Sequence, residues 1–233
     1  MMKKFLIYIV LACSWTASTQ TMDHSKWTDI LQAYVADNGK VNYKGLLNNR
    51  AVLNDYLNDL ASNAPEDSWS IAEKKAYWIN AYNAYTIQLI LDNYPIESIK
   101  DLKNPWGQQF IEIGGKTITL NTIEHEILRP MGDSRIHFAI VCASESCPKL
   151  LNCAFEAEIL NTQLDQAAHE FINDPSKNSI TSSKISISKI FKWFKSDFPK
   201  GEDFINYLNT YSTVKISPEP KINHQNYNWS LNE

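Results

Sequence analysis

Two cysteines, Cys142 and Cys147, stand five positions apart in the stretch VCASESCP. Three chemistries suit them. The first is a disulfide, closing a small loop that would stabilise the fold by less than about 3 kcal/mol. The second is a metal clip, which lacks a second ligand pair of the usual spacing, since His125 and His137 fall on separate elements. The third is a thiolate nucleophile. Pro148 suits the first position of a helix, which would place Cys147 at its N-cap, where free N–H groups favour a thiolate. His137 is the base to pair with either sulfur. If residues 136–141 form a straight strand, His137 and Cys142 lie on opposite faces and roughly 17 Å apart, so Cys147 is the better nucleophile. Ser144 and Ser146 add polar donors in the loop.

Other residues fit roles around that pair. Glu124 would orient His137, as the third member of a catalytic triad does. It also has capping-box spacing from Asn121, which accounts for it without catalysis. Arg135 would hold a carboxylate bidentately beside the site, or lie on the surface. Asn80, Asn83 and Thr86 recur at three-residue intervals on an otherwise apolar helix. Buried amides must find partners. Asn80 and Asn83 therefore either line a substrate pocket or tie the helix to neighbouring loops.

The elements that must position these residues are mostly helical. Trp27, Ile30, Leu31, Tyr34 and Val35 follow helical spacing, with Gly39 suited to the position that ends a helix. Leu53, Tyr56, Leu57 and Leu60 mark a second helix. Ser70 and Glu73 form a capping box opening a long helix that runs to Asn93, stopped by Pro95. FIEIGGKTITL reads as a hairpin about Gly114-Gly115. Ile136 to Val141 reads as a buried strand. From about Phe155, Leu160, Leu164, Ala167, Ala168 and Phe171 describe another helix, closed by Asn173-Asp174-Pro175. Ile185 and Ile187 alternate with serines as a strand. The aromatic face of IFKWFKSDF, with Lys189, Lys192 and Lys195, suits ordinary packing better than a membrane surface. The fold class is α+β, with helices packed around a small, partly hairpin-connected sheet.

Residues 1–20 read as a targeting segment: Lys3 and Lys4, an apolar run from Phe5 to Ala12, then small residues. Val10-Leu11-Ala12-Cys13 also fits a lipoprotein signal ending at Ala12, with a lipid anchor on Cys13. One globular domain follows over residues 21–233. An exported chain is periplasmic, secreted or an outer-membrane lipoprotein. Without Lys3 and Lys4 the chain carries 20 basic and 26 acidic residues, a net charge of −6. That balance disfavours nucleic acid and anionic lipid as partners. No further stretch is long and apolar enough for a transmembrane span in the mature chain. The sequence leaves room for a small-molecule or peptide ligand and names none. No motif implies a cofactor, and the oligomeric state is open.

YWINAYNAYTIQLI, IEHEILR, RIHFAIVCASESCPKL, IFKWFKSDF and YNWSLN together resemble the domain-of-unknown-function family 547. The resemblance implies an exported bacterial protein with no established activity. It also implies a distant likeness to papain- and transglutaminase-like thiol enzymes. In those the nucleophilic cysteine opens a central helix, and the long helix here has none. Two functions follow as expectations: a thiol-dependent hydrolase or acyl transferase acting on peptide or amide bonds, or a non-catalytic envelope binding domain with a Cys142–Cys147 disulfide.

Overall fold

A computed structural model describes residues 21–233. The targeting segment and Cys13 lie outside the described residues. Four helices build the first half: α1 (Ser25–Tyr34), α2 (Tyr43–Asn48), α3 (Arg50–Ser62) and α4 (Ile71–Asn93). α4 is the axis of the molecule. Its capping box at Ser70 and Glu73 has both reciprocal bonds. Apolar side chains surround it, and Tyr77, Ile79, Ala81, Ala84 and Ile90 are fully enclosed. An element so apolar on all sides must be covered by others. No described helix is long and apolar enough to cross a membrane.

Strands β1 (Ile111–Ile113) and β2 (Lys116–Ile118) pair antiparallel about Gly114 and Gly115, whose φ values of 58° and 72° a side chain would disfavour. After α5 (Leu160–Asn173) come β3 (Ser179–Ile180), β4 (Lys184–Ile187), the short α6 (Ile190–Trp193), α7 (Glu202–Tyr211) and β5 (Lys221–His224). In their sheet β4 is central, antiparallel to β3 and parallel to β5. Apolar residues gather in two clusters. One surrounds α4. The other is aromatic, with Phe138, Phe171, Phe191 and Phe198 between α5, α6 and α7.

Several expectations need correction. Residues 134–138 form a 3₁₀-helix, not the start of a strand. Asp133 accepts the Arg135 N–H and starts that turn, while Asn83 holds Val141 beyond it. Ile136 and Ala139 enter the first cluster and Phe138 the second. A segment that feeds two cores cannot keep the two-residue alternation of a strand. Gly39 does not end α1. The helix stops at Tyr34, and Gly39 (φ 82°) instead closes a turn in which its N–H donates to the Ala36 carbonyl. Asn121 does not cap the next helix. It is itself helical, and the Thr119 hydroxyl accepts the Thr122 N–H. No helix begins at Pro148, so Cys147 has no helix N-terminus behind it.

Candidate functional site

Residues Thr122–Leu128 form a π-helix, a form that recurs at functional sites. The wider turn carries Glu124 inward instead of leaving it at a cap. Its carboxyl accepts a hydrogen bond from the buried Tyr82 hydroxyl at 3.2 Å. Among the described residues no other hydrogen bond reaches it. Burial pushes its pKa up to about 7, against the weaker opposing pull of Tyr82 and Arg129. The capping-box account of Glu124 therefore fails.

His137 is also buried, and its ring stacks on Phe194 at 4.0 Å. Its Nε2 lies 2.8 Å from Asp197 Oδ2, so Asp197 orients this ring and Glu124 does not. Burial lowers the His137 pKa to about 4, outweighing Asp197. A neutral ring bonded to a carboxylate donates from Nε2 and leaves Nδ1 as its acceptor. Arg129 grips Asp197 with two bonds, Nε to Oδ2 at 2.6 Å and Nη2 to Oδ1 at 2.7 Å. Those bonds hold the Asp197 carboxyl well below the usual carboxylate range. Arg129 also lies over the Phe194 ring, and His125 Nδ1 is 3.2 Å from its Nη1.

Cys142 and Cys147 are joined in a disulfide, with their Cα atoms 6.3 Å apart. Ala143 makes this closure by adopting φ 56°, a left-handed conformation rare for a residue with a side chain. The Cys147 N–H then returns to the Ser144 carbonyl at 3.0 Å. The C-terminal segment clamps the folded loop. Glu145 N–H donates to Ser230 O, Ser146 N–H to Asn228 O, and Asn232 N–H to Ala143 O. In the bridged state neither sulfur is a nucleophile. Cys153 is free, and burial raises its thiol pKa.

These groups meet around one cavity of about 210 Å³. Glu124, His125, His137 and both bridged sulfurs line it, with Tyr82, Trp106, Trp193, Phe194, Tyr227 and Trp229. His137 and Cys142 share this cavity because the 3₁₀ turn replaces the strand that would have put them on opposite faces. A larger cavity of about 520 Å³ lies by Phe191, Phe198 and Phe204, with lysines and His224 at its wall but no buried acid or sulfur.

The residues expected to bind substrate are engaged elsewhere. Asn80 donates to Phe155 O at 2.8 Å and accepts from Phe155 N–H at 2.9 Å. Asn83 does the same to Ala139 O and Val141 N–H, both at 2.9 Å. Arg135 does hold a carboxylate bidentately, but that carboxylate is Asp133, which Lys75 also grips. Ser146 accepts the Asn228 N–H. None of these four lines the cavity. Among the described residues, no group of three His, Cys, Asp or Glu side chains is placed to hold a metal ion.

Asp197, Arg129, Tyr82, Tyr227 and Trp229 were not anticipated as site residues. All five lie inside the motifs that carry the family resemblance, which was the available signal. Residues 66–172 match the family model described as "Protein of unknown function, DUF547". The chain therefore carries a DUF547-like domain over those residues. Asp197, Tyr227 and Trp229 fall beyond the matched segment yet complete its cavity. No curated protein and no solved structure matches this chain.

Proposed function

We propose that this chain is an envelope binding domain that takes a small ligand in the cavity beside Glu124. The observation that carries the reading is a buried carboxyl with one hydrogen-bond partner, facing a cavity rimmed by Trp106, Trp193 and Trp229. A ligand with an aromatic or apolar body and a cationic or hydrogen-donating head complements both features. Ion pairing with such a head would bring Glu124 to its charged form. The thiol hydrolase or acyl transferase is the less supported reading. It needs an open bridge, whereas Cys142 and Cys147 are joined here. The N-terminal segment, with Lys3, Lys4 and the apolar run from Phe5 to Ala12, supports export as part of this reading. The intact mass of the mature protein separates cleavage before Thr21 from a lipid on Cys13.

Benzylamine and benzyl alcohol test the binding reading, with tryptophan fluorescence as the signal. Benzylamine binding should tighten as pH rises through about 7, where Glu124 ionises. Benzyl alcohol should show no such dependence. Glu124→Gln should abolish the preference for the amine. Equal binding of both probes at pH 8 would refute the proposed recognition.

A further inference from the structure

The bridge that walls this cavity is built asymmetrically. Cys142 is only half-buried, whereas Cys147 is 3% exposed. Three donors reach the Cys147 sulfur: the Cys142 N–H at 3.0 Å, the Ser144 hydroxyl at 3.2 Å and the Tyr227 hydroxyl at 3.4 Å. No backbone N–H is bonded to the Cys142 sulfur among the described residues. It has only the same two hydroxyls, at 3.5 Å from Ser144 and 3.4 Å from Tyr227. Each hydroxyl has one proton to give, and Ser144 also lies within 3.3 Å of the Tyr227 oxygen, so the two hydroxyls cannot serve both sulfurs and the Cys142 N–H sets Cys147 apart. A sulfur that leaves as a thiolate gains most from donors already aimed at it, and exchange is faster when the leaving thiol is the more acidic one.

We propose that Cys142–Cys147 is a redox-active disulfide that oxidises small thiols with an aromatic or apolar body, entering through the Glu124 cavity. The thiolate of the substrate attacks the Cys142 sulfur. A bond forms between substrate sulfur and Cys142, the Cys142–Cys147 bond breaks, and the electron pair leaves on Cys147. The Cys142 N–H, Ser144 and Tyr227 hold that thiolate. A second substrate thiolate then attacks the substrate sulfur of the mixed disulfide. The substrate disulfide is released, and Cys142 takes up a proton. Across these two exchanges, two electrons pass from two thiols to the bridge. The ionised Glu124 carboxyl on the cavity wall is positioned to take the proton of an entering thiol.

Tyr227 and Ser144 are well suited to the role. Tyr227 keeps its proton, since burial pushes its pKa up to about 12. The Ser144–Leu231 bridge and the C-terminal clamp fix both hydroxyls against the loop. Ala143 supplies the left-handed turn that brings the Cys142 amide onto Cys147. The exchange uses the same cavity as the proposed ligand but does not depend on recognition of an amine. Failure of benzylamine to bind would leave it standing.

Phenylmethanethiol is the probe, added to the oxidised mature chain. The reaction is quenched in acid, and free thiols are capped with N-ethylmaleimide after unfolding. Peptide mapping should find the benzylthio group on Cys142 and the maleimide on Cys147, in at least ten-fold excess over the reverse. The Ser144→Ala/Tyr227→Phe double variant should shift the exchange equilibrium about ten-fold towards the closed bridge. In the reduced protein that variant should also raise the thiol pKa read by thiolate absorbance at 240 nm. The wild-type mapping needs no variant, so a poorly folded double variant leaves a decisive arm. Equal labelling of the two sulfurs, a bridge inert to excess thiol in the folded chain, or an unchanged equilibrium in a folded double variant would overturn the proposal.

Discussion

Two buried polar regions lie along α4, and they are finished differently. At Asn80 and Asn83 every amide oxygen and nitrogen pairs with the backbone of a passing loop. At Tyr82 and Glu124 one hydroxyl meets one carboxyl, and the rest of the carboxyl faces a cavity. The first region is a closed network, which fixes residues 139–141 and 155 against the helix. The second is open, so burial raises the acid instead of satisfying it. A buried polar group with all its partners is structure. One that lacks them beside a cavity is the better place to look for a ligand.

Substitutions should separate the two regions. The largest effect is expected at Asn83→Ala. It would orphan a buried carbonyl at Ala139 and a buried N–H at Val141. Each orphan costs about 1–3 kcal/mol, so unfolding stability should fall by about 4 kcal/mol in urea. A loss below about 1 kcal/mol would show that water replaces the asparagine, and the contrast between the regions would break.

Glu124→Gln should act in the opposite direction and less strongly. An acid whose pKa is raised by folding costs the native state nothing while both states are protonated. As pH rises past the ordinary 4.5, the unfolded chain ionises while the folded chain resists until about 7. Native stability is therefore lost across that window and stays lost above it. Glutamine removes the penalty and keeps an acceptor for Tyr82. The variant should match the wild type near pH 4 and exceed it by about 3 kcal/mol at pH 8. Paired urea titrations at the two pH values read this directly. A pH-independent difference would mean that Glu124 is hydrated, and the second region would lose its distinction.

Most of the scaffold was legible in the sequence. Ser70 and Glu73 bonded as their spacing said, and Gly114-Gly115 turned the hairpin. Both depend on neighbours within a few residues, where local geometry decides. The site was legible only in part. Glu124, His137, Cys142 and Cys147 do meet at one cavity, but not in the roles assigned to them. The orienting acid is Asp197, sixty positions from His137. Arg135 showed the opposite failure: its bidentate carboxylate was anticipated, but it belongs to Asp133, two residues away, and not to a site.

By itself the sequence determined which side chains were available: the Cys142 and Cys147 pair, His125 and His137, a scarce set of glycines and the aromatic C-terminal segment. It also determined the α+β class, because hydrophobic spacing and turn residues act over short range. Only the tertiary structure decided what those side chains do. The π-turn buried Glu124, the 3₁₀ turn brought His137 and Cys142 to one cavity, and Tyr227 reached back to the disulfide. Those outcomes depend on burial and on contacts between distant segments, and a pKa or a sulfur's leaving tendency is set by its surroundings in space, whatever its neighbours along the chain.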